Sequence, residues 1–268
     1  MKKLILLNII IFILGAPVTN AQKERIEYLP NFDKRTLHFG YYVGINNNSY
    51  KISYFDQSGF DASSPVNPTP PTDMFVSVKE AIGFNLGFVI DYRLHNNINL
   101  RFEPGLMSTG TKELTFINHN AEATSNGTSI YPGTRDNTRK VSGTYMHLPL
   151  LLKFSTNRLN NMRPYIIGGV SYDYNFSSNE KNGEDNFEGE FRMKSSNFMY
   201  EVGVGVDFYF YFFKFTPSIR GIFAINNELV RDRQILNLDP EQAPYSSPWT
   251  GPIDYFGTRG IFLNLTFE

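Results

Sequence analysis

The sequence predicts an all-β fold: an eight-stranded antiparallel up-and-down transmembrane β-barrel with short periplasmic turns and long extracellular loops. Three observations favour this fold. Eight segments alternate between apolar and small or polar residues with a period of two, the pattern of a strand with two different faces. The connections between these segments are alternately short and long. Phe and Tyr are abundant, with 24 and 16 residues, as expected when one face of each strand contacts lipid.

The first 36 residues precede the predicted barrel. Lys2 and Lys3 are followed by an apolar run and then by small residues at positions 19 and 21, the pattern of a secretory signal peptide. The run is short for a helix that spans a bilayer. We therefore expect residues 1–21 to be a cleaved signal peptide, residues 22–36 a periplasmic N-terminal segment, and residues 37–268 the barrel. The sequence has no cysteine, so no disulfide and no lipid-modified cysteine are expected.

The first four segments each place apolar residues on one face. In the first segment these residues are Leu37, Phe39, Tyr41, Val43 and Ile45. The short polar turn His95-Asn96-Asn97 joins the second and third segments and predicts a hairpin. The apolar residues of these two segments are Phe84, Leu86, Phe88, Ile90 and Tyr92, then Ile98, Leu100, Phe102 and Leu106. Those of the fourth are Met146, Leu148, Leu150, Leu152 and Phe154.

The last four segments continue the alternation. The apolar residues of the fifth and sixth are Ile166, Val170, Tyr172 and Tyr174, then Phe198, Tyr200, Val202, Val204, Val206 and Phe208. The seventh is less regular, with Phe213, Phe215, Ile219 and Phe223, and the eighth carries Ile261, Leu263, Leu265 and Phe267. This last segment resembles the terminal-strand signal of outer-membrane proteins, although Glu268 stands where an aromatic residue is usual.

The lengths of the connections set the orientation of the predicted barrel. The turns after segments two, four and six are short, whereas the other connections have roughly 18 to 30 residues. The long connections are rich in Asn, Ser, Gly, Pro and acidic residues and cover 57–78, 118–139, 177–194 and 227–255. A soluble β-sandwich or a lipocalin-like pocket would share single strands but has no reason to alternate its loop lengths.

Charged residues lie on the inward face of the predicted strands. Five are acidic and five basic: Asp91, Arg93, Arg101, Glu103, Lys153, Asp173, Glu201, Asp207, Lys214 and Arg220. Isolated ions enclosed in a narrow lumen would cost several kcal/mol each, so these charges should pair. The favoured interpretation is a structural network of salt bridges that plugs the lumen. The alternative is a polar site or a narrow conduit.

The sequence offers no catalytic, cofactor-binding or metal-binding motif. None of the common hydrolase, metalloprotease or phosphate-binding motifs occurs, and Asp232, Asp239, Glu241 and Asp254 lack calcium-loop spacing. The only histidine constellation, His147 with Tyr145 and an inward acid, also fits an interior hydrogen-bond network. The formal net charge of −1 without a basic stripe argues against nucleic acid. The predicted partner is outer-membrane lipid, and the oligomeric state stays open.

Several stretches, in order along the chain, resemble the PorT/SprT family of outer-membrane β-barrel proteins. They include Leu29-Pro30-Asn31-Phe32-Asp33-Lys34, Asn99-Leu100-Arg101-Phe102, Pro149-Leu150-Leu151-Leu152-Lys153-Phe154, Arg163-Pro164-Tyr165 and the run from Tyr200 to Tyr209. The resemblance implies a non-enzymatic role in type IX protein secretion and gliding motility, with other components of that machinery as partners. It brings no catalytic residues. The alternative is a generic small porin or ligand-binding barrel, and a barrel enzyme ranks last.

Overall fold

The computed structural model describes residues 26–54, 74–118, 138–184, 186, 189–232 and 249–268. The predicted signal peptide, the first residues of the N-terminal segment and the central parts of three predicted long loops lie outside the described residues. A short 3-10 helix, Phe32–Lys34, precedes the strands, and no helix among the described residues is long and apolar enough to span a membrane. The strands are β1 (Leu37–Tyr54), β2 (Met74–Lys79), β3 (Ala81–His95), β4 (Ile98–Phe102), β5 (Gly105–Asn118), β6 (Thr138–Ser155), β7 (Met162–Asn175), β8 (Ser196–Tyr209), β9 (Lys214–Ala224) and β10 (Ile253–Phe267).

Ten strand segments make eight strands of a barrel, because two strands are interrupted. β2 and β3 follow each other across Glu80, and β4 and β5 follow each other across Glu103 and Pro104. Proline has no N–H to contribute to the ladder. The Pro104 carbonyl still accepts a hydrogen bond from the Phe88 N–H at 2.9 Å, so the neighbouring strand stays attached at the break.

The barrel closes between its first and last strands. β1 pairs antiparallel with β3 on one side and with β10 on the other. Following the register once around the ring from His38 leads back to β1 at Asn48, ten residues further along. With eight strands, this stagger tilts each strand by about 40° from the barrel axis, a tilt usual for small barrels.

The inner and outer faces of the wall differ in composition and exposure. Large apolar side chains point outward; Phe39, Phe88 and Ile166 are 65%, 70% and 59% exposed. Inward side chains such as Asp91 and Arg101 are buried. So many exposed apolar side chains require a nonaqueous cover. The predicted eight-stranded antiparallel fold and its apolar outer face are confirmed.

Several strands are longer than the segments of about ten residues that the alternation predicted. β1 and β6 each have 18 residues, and their additional residues lie at the end of the barrel that carries the long loops. There the outward side chains are polar, as at Lys51 and Lys140, and the inward ones include Tyr50 and Val141. In this region the polar residues face outward and the apolar residues face inward, the reverse of the transmembrane part. The predicted segments therefore end where the lipid-facing band ends.

An apolar cluster fills the barrel inside these extensions. It contains Tyr50, Leu114, Phe116, Val141, Phe191, Met193, Leu229, Trp249, Ile253 and Phe256. Four of its members, Phe191, Met193, Leu229 and Trp249, belong to connections between strands. Parts of the long loops therefore fold back into the barrel and cover its long-loop end.

Candidate functional site

Charged residues of the lumen form a network of ion pairs around Arg101. Its guanidinium lies 2.5 Å from the Glu103 carboxylate, 3.0 Å from the Glu268 carboxylate and 3.7 Å from the Asp91 carboxylate. All four side chains are almost completely buried. A guanidinium has five N–H donors in a planar fork, so one arginine can hold several carboxylates together.

Two lysines extend the network toward the short-turn end. Lys153 Nζ lies 2.9 Å and 2.8 Å from the two carboxylate oxygens of Asp207, and the Thr216 hydroxyl donates to the same carboxylate at 2.8 Å. Lys214 Nζ lies 2.7 Å from Glu268. The ammonium groups of Lys153 and Lys214 therefore both have a carboxylate partner, as a buried charge requires.

Toward the long-loop end the network continues through Arg220 and His147. Arg220 lies 2.7 Å from Glu103 and 3.2 Å from Glu201. His147 Nε2 lies 3.1 Å from Glu201, and Nδ1 lies 2.7 Å from Asp173. Both ring nitrogens of this buried histidine face carboxylates, while Tyr145 packs among Met107, Met199, Ile222 and Phe262. The histidine constellation considered in the sequence is thus a part of the interior network.

The structure brings nine of the ten predicted lumen residues together in this network, all buried: Asp91, Arg101, Glu103, Lys153, Asp173, Glu201, Asp207, Lys214 and Arg220. Arg93 is only partly buried and lies at the short-turn mouth, where it donates to the Asp33 carbonyl at 2.7 Å. Sequence reasoning missed Glu268 as a member. Its inward position follows from the alternation, because Asn264 and Thr266 face the lumen and Glu268 comes two residues after Thr266.

The short-turn mouth is closed by the N-terminal segment. Phe32 stacks on His38 with ring centroids 4.3 Å apart, and Lys214 Nζ lies 4.9 Å from the centre of the Phe32 ring. The Asp33 carboxylate accepts hydrogen bonds from the Tyr209 hydroxyl at 2.6 Å and from Arg163 at 3.3 Å. The cavity that remains among these groups measures only about 10 Å³.

Turn residues hold the start of the same segment. Arg158 donates to the carbonyl oxygens of Tyr28 and Leu29. Asn161 accepts from the Tyr28 N–H at 2.9 Å and donates to the Ile26 carbonyl at 2.9 Å. The described part of the N-terminal segment is therefore docked against the barrel and fills the mouth.

The long-loop mouth contains one buried acid whose ionisation is disfavoured. Glu228 is completely buried, and one of its carboxylate oxygens accepts a hydrogen bond from Thr258 at 2.7 Å. Its backbone carbonyl accepts a hydrogen bond from Lys194 N, which joins the two inward-folded connections, and its N–H donates to the Phe256 carbonyl in β10. Burial raises the pKa of Glu228 to about 7.

Among the described residues, no group of three or more His, Cys, Asp or Glu side chains is arranged to hold a metal ion. Asp232 instead accepts hydrogen bonds from Asn186 and Thr250. Asp239 and Glu241 lie outside the described residues.

A closed antiparallel ring with an apolar outer face and an ion-paired interior defines the chain as an integral outer-membrane β-barrel protein of the small-barrel kind. It belongs to the family described as outer membrane protein beta-barrel domain, which matches residues 20–230. The protein is located in the outer membrane and is surrounded by its lipid. A search of curated proteins finds no match.

The fold is similar to solved outer-membrane proteins, each 11% identical in sequence. OprG from Pseudomonas aeruginosa has a TM-score of 0.43, and the match covers 87% of this chain and 94% of that one. Neisserial surface protein A has a TM-score of 0.37, with 84% and 95% covered. Ail of Yersinia pestis has a TM-score of 0.35, with 87% and 97% covered.

Proposed function

We propose that the protein is a non-enzymatic outer-membrane component of type IX secretion, required for surface delivery of cargo and, through it, for gliding motility. One observation carries the proposal. The stretch Asn31-Phe32-Asp33-Lys34, part of the resemblance to the PorT/SprT family, is the part of the N-terminal segment that fills the short-turn mouth. This stretch, which resembles that family, would then serve to close the short-turn mouth of the barrel.

The closed lumen supports a role for the ends of the barrel. Salt bridges occupy its middle, the N-terminal segment closes one mouth, and the apolar cluster fills the other. A conduit would need an open polar path through these groups. At the short-turn end, Tyr211 and Phe212 are 68% and 84% exposed. Tyr211 lies beside Tyr28 of the docked segment. This end would contact other components of the machinery.

Deletion of the gene tests the proposal. We expect the deletion strain to lose surface delivery of proteins with a C-terminal sorting domain, and the wild-type gene to restore it. Complementation with Asp33→Ala should restore less, because the docked segment loses the acceptor for Tyr209 and Arg163. Lys34→Ala is the matched control, since that side chain is exposed and bonds only locally to Asn31. The two variants must be present in the outer membrane in equal amounts for this comparison. Normal secretion in the deletion strain would refute the proposal.

Planar bilayers distinguish this function from that of a small porin. The closed lumen leads us to expect no steady conductance from the purified protein. A stable open channel in the wild-type protein would favour the porin.

A further inference from the structure

In the described part of the chain, the stretch of β6 from Lys140 to Ser142 has no strand paired with it on the β7 side. Pairing between β6 and β7 begins at Tyr145 and Asn175, whereas β6 itself begins seven residues earlier at Thr138. Among the described residues, the last backbone hydrogen bond on this side is at Thr144, whose carbonyl accepts from the Phe176 N–H at 2.8 Å. On its other side, the same stretch of β6 stays paired with β5.

Every second backbone group of this stretch points away from β5. In an antiparallel ladder, the N–H and C=O of every second residue point to the same neighbour. Since Thr144 faces the β7 side, Ser142 and Lys140 face it too. In the described part of the chain, no strand is paired with them there.

A cleft lies along this edge of β6. Its volume is about 130 Å³. Lys140 and Ser142 line one side, and Asn179 and Glu190 line the other. The buried side chains of Val141, Phe191 and Met193 form an apolar floor. The cleft therefore combines a backbone edge with space for one aliphatic side chain.

The outer face of the wall carries a row of alternating charges that ends at this edge. Lys79 Nζ lies 3.0 Å from the Glu113 carboxylate, and Glu113 is the register partner of Lys140. Lys140 has no ion pair in the described part of the chain. Opposite charges in directly facing positions stabilise neighbouring strands. An acidic residue on an added strand, facing Lys140 from the β7 side, would therefore continue the row of alternating charges.

The edge lies outside the apolar band. The outward side chains of this part of β6 are Lys140, Ser142 and Thr144, whereas the apolar outward residues begin at Met146. Lipid therefore does not cover the edge.

We infer that this edge of β6 binds an extended peptide segment that adds a strand to the barrel wall. The peptide runs antiparallel to β6 and exchanges backbone hydrogen bonds with Ser142 and Lys140. An acidic residue faces Lys140, and the preceding aliphatic side chain faces Val141 and enters the cleft. Main-chain bonds supply affinity, and the cleft and the lysine supply selectivity, as in other cases of strand addition.

Fluorescence anisotropy of labelled peptides on the full chain in detergent micelles tests the inference. The probe is the heptapeptide Gly-Thr-Thr-Val-Glu-Thr-Gly, in which the second Thr faces Ser142. We expect saturable binding that weakens about tenfold in Lys140→Glu, because the charge pair becomes repulsive. A peptide with Lys in place of Glu should regain binding to that variant. Lys51→Glu is the matched control, an exposed lysine on the β1 extension, and should bind like the wild type.

N-methylated peptides test the backbone contacts. A methyl group on the amide of the second Thr removes a donor to β6 and should abolish binding. A methyl group on the Val amide, which points away from β6, should be tolerated. The inference is wrong if the unmodified peptide shows no saturable binding at millimolar concentration, if Lys140→Glu binds it unchanged, or if both methylated peptides bind alike. Lipopolysaccharide binding that depends on Lys140, without peptide binding, would also overturn it.

Discussion

Lys153 and Asp207 provide a sharp test of how the lumen is stabilised. The ammonium makes two charge-assisted hydrogen bonds to the carboxylate, at 2.8 and 2.9 Å, and both groups are about 2% exposed. We expect Lys153→Met to leave the carboxylate buried with only the hydrogen bond from Thr216. Each bond to a charged group contributes about 1.5 to 3 kcal/mol, so the free energy of unfolding should fall by about 3 to 5 kcal/mol.

The double variant Lys153→Met/Asp207→Leu gives the decisive comparison. Replacing both charges by apolar groups of similar size removes the desolvation cost together with the attraction, and such replacements are often neutral. We therefore expect the double variant to recover most of the stability that the single variant loses.

Urea unfolding in lipid vesicles, followed by far-ultraviolet circular dichroism, measures these differences. The single tryptophan, Trp249, lies in the apolar cluster and reports on the long-loop end, so its fluorescence is unsuitable for the whole barrel. A loss below about 1 kcal/mol in Lys153→Met would show that water or another cation reaches Asp207. A double variant that stays as far below the wild type as Lys153→Met would contradict the expectation and show that the pair contributes net stability over apolar residues.

Three further predictions follow from the structure. Because burial raises the pKa of Glu228 from 4.5 to about 7, the folded state holds this proton more tightly. The long-loop end should then lose stability as the pH rises from about 5 to 8; Trp249 fluorescence should report this loss, and Glu228→Gln should remove the dependence. Gly205→Ala should cost about 1 to 3 kcal/mol in urea unfolding, since a Cβ there would lie 2.3 Å from the Tyr165 hydroxyl oxygen and 2.8 Å from the Pro217 carbonyl oxygen. Gly168→Ala should be neutral because its nearest contact is at 3.4 Å. Asp33→Ala should speed proteolytic cleavage before β1 while the barrel stays intact; unchanged cleavage would show that Asp33 does not hold the segment.

The alternation of residues predicted the barrel because every transmembrane strand has one apolar and one polar face. The same rule located the lumen charges, since inward positions follow from parity alone. It did not predict which charges meet, because pairing depends on register around the ring. Arg101, for example, meets Glu268, which is 167 residues away in sequence.

Periodicity could not predict the docking of the N-terminal segment or the apolar cluster. The N-terminal segment has no alternating pattern, and the residues that hold it, Arg158, Asn161, Arg163 and Tyr209, lie far along the chain. The apolar cluster was missed because Phe191, Met193 and Trp249 are isolated apolar residues within polar connections. Single residues of this kind leave no periodic signal, and only the folded chain shows that they share one core.

The seam between β1 and β10 has a consequence for biogenesis. Tyr41 and Phe267 are register partners although they are 226 positions apart in the chain. Bringing such distant segments together is a slow step, because the loop entropy is lost before the contacts form. Until β1 and β10 pair, the lumen is not enclosed and its charged side chains cannot form their ion pairs. We therefore expect nascent chains that lack the final strand to remain open sheets, which would depend on chaperones for protection from aggregation.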